Sequence, residues 1–397
     1  MNDIAFQPRI TSAALAEIAQ TAAARVAQVR SIAVSPGERK RAPTFSIPQL
    51  LALTGLDRNQ FNYRAGKGEL PQGTVPHQGR REFALSEVRT WAAACLNAAR
   101  RPAGVDACVI ATVSFKGGST KTSTTMALAQ GLSLRGHAKV LVVDLDPQGT
   151  LTQFFSILPD TEVDDERTVG PLCFGDGEVI APTAPLSTYW DGIDLIPASP
   201  ALFGAEFALP ARQVREPAFE FWNVLNRGLR DLRREYDFIL IDTSPSLSYL
   251  TINALYAADG LLVPLPPDNP AYSSLAQFWN LFADIANGID KKLKAAKEYD
   301  FLHILLSRVD SVKPATSVVR KWIAATYADY LLPVEIPETS VAHTTAVKYQ
   351  TVYDVTRYSG SERTYKRARE AYDRMVELVE QSASIAWARM AGEGRAQ

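Results

Sequence analysis

The chain has 397 residues, 46% of them apolar and 21% charged, enough to bury large cores in two or three domains. No basic-then-apolar leader opens it, no apolar run approaches membrane-spanning length, and Cys95, Cys108 and Cys173 lack paired metal spacing. These features argue against a membrane-spanning protein or a cysteine-held metal site, and lead us to expect a cytoplasmic protein with reduced thiols. The formal net charge of −1 hides an asymmetry: Arg30–Arg101 holds twelve Arg and Lys against five Asp and Glu, so a basic segment precedes an acidic remainder.

Taken in order, Thr11–Ile32 is alanine-rich and spaces Leu15, Ile18, Ala22, Val26 and Val29 along one face, which predicts a helix in need of a partner. Ser35, Pro36 and Gly37 end it, and Arg39, Lys40 and Arg41 follow as a basic linker. Residues 41–104 look like a winged helix-turn-helix of the MerR-like kind. Ile47–Thr54 forms a first helix, Gly55 and Leu56 the turn, and Asp57 caps a second helix running to about Gly66. Arg58, Asn59, Gln60, Asn62, Tyr63 and Arg64 on that second helix are side chains able to meet phosphates and base edges. Leu70–Phe83 reads as a hairpin wing with Arg80 and Arg81 near its tip, and Ser86–Leu96 as a closing helix with Val88, Trp91 and Leu96 inward. The alternative is a helical adaptor with an ordinary basic surface.

From Asp106 the pattern alternates buried strands with helices, which predicts an α/β domain over 105–397: a mostly parallel sheet flanked by helices, with ligands at the strands' carboxyl ends. Strands are expected at Val109–Ser114, Val140–Asp144, Ile193–Pro197, Phe238–Asp242, Leu261–Leu265 and Leu302–Leu306, and Leu158–Asp191 as an insertion with little regular structure. Between the first strand and the helix Thr122–Arg135 lies Lys116-Gly117-Gly118-Ser119-Thr120-Lys121-Thr122-Ser123. Two glycines let backbone N–H groups approach an anion at the helix's positive end, Lys121 adds a charge for terminal phosphates, and Thr122 is placed to ligate Mg²⁺. The strict G-x-x-x-x-G-K-[ST] pattern fails, because Phe115 and Thr120 stand where it needs glycine. Val140–Gln148 ends a strand with Asp144 and Asp146. Phe238–Pro245 (FILIDTSP) is a Walker B strand whose Asp242 is suited to hold Mg²⁺ through water, followed by a switch at Thr243–Pro245. Further on, Pro267 follows a strand near where an adenine is expected, and Ser307 with Arg308 occupies a similar strand end. Lys313, Arg320, Lys348 and Arg357 are candidate phosphate contacts for DNA, against the alternative of a solvated mixed-charge face.

Lys116 to Thr122, with the D-x-D-P-Q segment from Asp144 and the Asp242 strand, resembles the deviant Walker A signature of the ParA-family partition ATPases, from about Ala107 to Leu378. The basic front end matches their larger, plasmid-type subgroup. The resemblance implies a P-loop ATPase with ATP/ADP and Mg²⁺ as ligands, preceded by a dimerisation helix in residues 1–40 and the helix-turn-helix. It implies a homodimer sandwiching ATP, with Lys116 reaching the partner subunit's phosphates, Asp146 acting on the attacking water, and Asp144 supporting the Mg²⁺ shell. Nucleoid location, nonspecific DNA binding, stimulation by a ParB-type partner and repression of its own operon follow from the same resemblance, with no membrane attachment. Two rivals stay open: a transcription regulator with nucleotide only as effector, and a reductase akin to the nitrogenase iron protein, for which Cys173 is poor support.

Overall fold

A computed structural model describes residues 10–33, 39–76, 79–136, 138–175, 179–181, 183–310, 312–339, 349–355 and 361–393, except the side chains of 23, 26–33 and 393. The chain divides into Met1–Arg41 and Ala42–Gln397. In the first unit, helix α1 (Ser12–Ala33) begins where Thr11 Oγ1 accepts the Ala14 N–H. Leu15 and Ile18 on its expected apolar face are exposed, and the side chains of Val26 and Val29 lie outside the described residues.

The second unit opens with strand β1 (Phe45–Ser46), α2 (Ile47–Thr54), α3 (Arg58–Gly66), β2 (Glu82–Phe83) and α4 (Leu85–Cys95). Gly55, at φ +70°, ends α2 in a conformation that favours glycine. Asp57 starts α3 by accepting the Gln60 N–H, while Gln60 Oε1 accepts the Asp57 N–H, so both orphan donors are satisfied. β1 and β2 pair antiparallel, and Leu50, Phe61, Phe83, Val88 and Trp91 fill the space between them and the helices. Phe61 stacks on Trp91 with ring centroids 5.0 Å apart.

Beyond residue 105 the elements are β3 (Cys108–Thr112), α5 (Lys121–Ser133), β4 (Val140–Asp144), α6 (Thr150–Phe154), α7 (Gly170–Phe174), β5 (Leu186–Ser187), β6 (Ile193–Ile196), α8 (Ala205–Arg215), α9 (Val224–Gly228) and α10 (Leu232–Glu235). Next come β7 (Phe238–Asp242), α11 (Tyr249–Ala257), β8 (Gly260–Leu265), α12 (Asn269–Leu293), β9 (Phe301–Val309), α13 (Pro314–Tyr327), β10 (Leu331–Pro337) and a final helix α14 (Glu362–Glu393). They build an eight-stranded sheet ordered β10-β9-β8-β3-β7-β4-β6-β5, parallel except for β5 against β6. Every residue of β3, β4, β7 and β8 is buried, as strands covered on both faces must be.

Alternate residues of β3 belong to different cores. Val109 and Ala111 join the cluster under α8, α11 and α12, whereas Cys108 and Ile110 join the cluster under α5 and α14. The latter continues without a break into Leu50, Phe61 and Trp91, so the 45–95 module shares a core with the α5 face of the sheet.

Two expectations need correction. Leu158–Asp191 has only short elements, but Val169, Leu172, Cys173, Ile180 and Ala184 are buried in the main cluster, so it is core and not an appended insertion. β10 was not foreseen. Among the described residues no helix is long and apolar enough to cross a membrane.

Candidate nucleotide site

The site grows from the carboxyl ends of the central strands. β3 runs into the loop 113–120, and α5 starts at Lys121. Gly118 has φ +72° and Thr120 φ +71°. In the left-handed region a β-branched threonine is strained by about 1–3 kcal/mol. That turn brings the first residues of α5, Lys121 to Ser123, onto a cavity of about 490 Å³. Its lining includes Gly117 to Ser123 of the loop and α5, Asp146 and Pro245, and a second group formed by Pro337, Glu338, Thr339, Tyr349, Gln350, Thr351 and Val352.

Lys121 is 7% exposed, and burial lowers its pKa against the opposing charges of Asp242 and Asp146. Thr122 Oγ1 donates to Asp242 Oδ2 at 2.7 Å, and Thr125 Oγ1 to Asp242 Oδ1 at 3.2 Å. Burial pushes Asp242 up to about 7, while the Thr122 hydrogen bond and Lys121 pull the other way. Asp144 is pushed up to about 8, by burial first and then by the charge of Asp242. Carboxylates held this far above their usual range sit in an electrostatic setting that a cation relieves.

Asp144 is not on the cavity wall: its oxygens accept the Asp146 N–H and the N–H and hydroxyl of Thr152, which fixes the turn that carries Asp146. Among the described residues no three acidic, imidazole or thiol side chains converge as a ligand set. A hard cation here would therefore rely on one hydroxyl, one carboxylate through water and the ligand's own oxygens, the pattern Mg²⁺ favours. The residues fit a phosphate group as well. Ser119, on the wall, keeps a buried Oγ without a hydrogen-bond partner among the described residues.

Other expected contacts are placed differently. Lys116 is off the wall, its Nζ 2.7 and 2.9 Å from the two oxygens of Asp268, which also caps α12 through the Ala271 N–H. Pro267 is buried and does not line the cavity; Ile336 to Thr339, at the end of β10, and Tyr349 to Val352 do. Ser307 lies behind the loop, donating to the Ser119 carbonyl at 3.3 Å. Arg308 is on the wall, between the Gly118 carbonyl and Glu338. The signal missed for that part of the lining was the sequence 331–337, a β-rich run ending in proline at a sheet edge.

Of the expected DNA contacts on α3, Arg58, Asn59, Asn62 and Tyr63 are exposed. Gln60 is also exposed, but its side-chain carbonyl is used in the helix cap. Arg64 folds back on the Ala94 carbonyl and Cys95 Sγ. Arg80 is exposed and Arg81 half-buried. Lys313 pairs with Asp310 and Glu338, and Arg320 with Glu335. Lys348 and Arg357 lie outside the described residues.

A strand-loop-helix anion cradle with a buried lysine, a hydroxyl on a Walker B carboxylate and a parallel sheet defines a P-loop NTPase. A family model described as an AAA domain matches residues 107–295. Protein SopA of Escherichia coli (strain K12) is 30% identical over 264 residues, 65% of this chain and 68% of that protein. The chromosome partitioning protein ParA of Myxococcus xanthus (strain DK1622) is 31% identical over 225 residues, 57% of this chain and 75% of that protein. The crystal structure of cobyrinic acid a,c-diamide synthase from Mycobacterium smegmatis with bound ATP analogue and magnesium is 29% identical, with a TM-score of 0.52 over 69% of this chain and 94% of that one. A structure described as a partition protein matches in fold over 92% of this chain and 96% of its own, at 19% identity and a TM-score of 0.62. The chain belongs to the ParA family of partition ATPases.

Proposed function

We propose that this protein binds and hydrolyses ATP with Mg²⁺ to partition DNA, and that its N-terminal module binds operator DNA to repress its own operon. The observation that carries the reading is Lys121, with the Thr122–Asp242 hydrogen bond and Asp146, gathered at one cavity beside the N-terminus of α5. The loop N–H groups and Lys121 hold the phosphates and stabilise charge that builds on the leaving oxygens. Thr122 and Asp242 hold the Mg²⁺, which supplies Lewis-acid neutralisation of the phosphate charge. Asp146, half-buried on the wall, orients water toward the terminal phosphate, and the lining residues Pro337 to Thr339 and Tyr349 to Val352 receive the base. Lys116 leaves Asp268 to reach the nucleotide of a second copy, which makes ATP the glue of a dimer. That dimer binds DNA without sequence preference, works on the nucleoid, and is stimulated by a ParB-type partner.

A second reading, a nucleotide-responsive repressor without a segregation role, is favoured by one finding. Lys313 and Arg320 are already paired with carboxylates, which leaves Arg58, Asn59, Arg80 and their neighbours on the N-terminal module as the more open DNA candidates.

The test is ATP turnover with and without DNA and the product of the adjacent reading frame, alongside plasmid retention. Acceleration by both additions, with turnover and retention lost in Lys121→Ala, is the expected result. Turnover in Lys121→Ala equal to wild type overturns the catalytic reading. Normal retention in that variant, with operator binding intact, selects the repressor.

A further inference from the structure

Arg89 belongs to α4 of the N-terminal module, yet it is 7% exposed because its guanidinium is sunk into the nucleotide-binding part of the chain. Its Nε donates to the Ser133 carbonyl at 2.8 Å, Nη2 to the Ala138 carbonyl at 3.0 Å, and Nη1 to Asp191 Oδ2 at 2.7 Å. Gly192, at φ +85°, clears its path: a Cβ there meets the guanidinium carbon at 2.3 Å. Ser133 is the last residue of α5, whose first is Lys121. The phosphate cradle and the Arg89 fork therefore sit at opposite ends of one helix, about 18 Å apart at 1.5 Å per residue. The carbonyl end of a helix attracts a cation, as its amide end attracts an anion.

A second connection runs from another part of the cavity lining. Thr351 lines the cavity and donates its hydroxyl to Gln130 Oε1, and Gln130 Nε2 donates to Asp354 at 3.1 Å. The Gln130 carbonyl accepts the Ser133 hydroxyl, which in turn accepts Trp190 Nε1–H. The phosphate loop and Thr351, both on the cavity lining, thus lead through α5 to the residue that Arg89 grips.

We propose that Arg89 is a positioning residue that transmits the nucleotide state of the cavity to the N-terminal module. It rests on the reading of the cavity as a nucleotide site, but not on DNA binding by the module. A small displacement of α5 when phosphate is bound or released moves the Ser133 carbonyl, and the three-point fork carries α4 with it. A guanidinium suits this because its planar donors fix direction as well as distance.

Amide hydrogen exchange across residues 85–96 of the full-length protein, with ATP and Mg²⁺ or with ADP and Mg²⁺, tests it, with calorimetry to verify nucleotide binding. Wild type is expected to exchange differently in the two states by about fivefold, the low end of measured couplings. Arg89→Gln should erase that difference while leaving ATP affinity as in wild type, and Arg89→Lys should restore only part of it. Asp191→Ala removes one acceptor at a half-exposed site and should narrow the difference; it decides the matter if Arg89→Gln does not fold. A full wild-type difference in the folded Arg89→Gln variant, or in Asp191→Ala if only that folds, overturns the proposal. So does nucleotide-independent exchange in a wild type that binds both nucleotides. Absence of any heat with either nucleotide overturns instead the nucleotide reading, and this inference with it.

Discussion

At its amino end α5 begins on a cavity lined by Lys121, Thr122 and Ser123, whereas at its carboxyl end the Ser133 carbonyl is taken by the Arg89 guanidinium from another part of the fold. Arg89 takes Ser133 from the module side, and just beyond the helix end Arg135 pairs with Glu380 and Glu377 of α14. The same helix dipole is thus left open at one end for a mobile anion and permanently compensated by protein at the other. The difference teaches that one end is arranged for a ligand and the other for stability. Substitutions at the two should separate accordingly.

The largest separation is expected at Asp242. Asp242→Asn keeps the size of the side chain and its contact with Thr122, but removes the charge that serves a bound cation. Turnover should fall by about 10–100-fold, with a higher Mg²⁺ requirement, while the melting temperature does not drop. A Mg²⁺ titration of ATPase rates reads it directly, and an unchanged requirement places the cation elsewhere.

At the closed end the order reverses. Arg135→Ala leaves Glu380, whose side chain is 7% exposed, without its guanidinium and with only the Ala99 N–H, and should cost about 3 kcal/mol of stability near neutral pH. Burial already raises the pKa of Glu380, and losing the guanidinium raises it further. A carboxyl whose folded pKa lies above its unfolded one loses stability as pH rises through the folded value. The deficit should therefore be small at about pH 4 and grow toward pH 8. Denaturant melts across that range check the sign.

Close by, His303 Nε2 lies 2.7 Å from Ser382 Oγ on the same helix, and burial lowers its pKa to about 4. Here the slope is opposite. The folded imidazole stays neutral while the unfolded one takes up a proton near its ordinary value of 6.5, so stability is lost as pH falls from about 6.5 to 4, by about 2–3 kcal/mol. His303→Gln should flatten this acid limb and leave ATP turnover unaltered. A limb as steep as in wild type assigns acid sensitivity to other groups.

The open end of α5 was far more legible in the sequence than the closed end. Val140–Asp144 and Phe238–Asp242 were readable to the residue because buried parallel strands are uninterrupted apolar runs that stop at a functional aspartate. α2 was readable through Gly55, and the start of α3 through Asp57, since caps have local chemistry. β10 was not, because Pro333, Glu335 and Pro337 on an edge strand look like loop, and the wall expected near Pro267 therefore went to the wrong proline. Arg89 gave no signal: two of its three acceptors are backbone carbonyls, 44 and 49 residues away. The Lys116–Asp268 pair spans 152 residues and has no local trace either.

Thr120 offers the smallest effect and the sharpest reading of the open end. In a chain that put packing first, a glycine would stand there, since φ +71° costs a threonine energy and a glycine almost none. Its hydroxyl offers little in return, lying 3.4 Å from Thr124 Oγ1. Thr120→Gly should therefore stabilise the nucleotide-free protein by about 1 kcal/mol, the strain relieved being partly offset by the extra freedom of glycine in the unfolded chain. If the strained turn serves to hold the N–H groups toward phosphate, the same substitution loosens that arrangement, and the added stability conferred by saturating ATP and Mg²⁺ should shrink relative to wild type. Thermal melts of both proteins with and without nucleotide measure the two terms together. Equal nucleotide-induced stabilisation in the two would show that the strained turn is incidental to binding, and that the opposition between the two ends of α5 rests on charge alone.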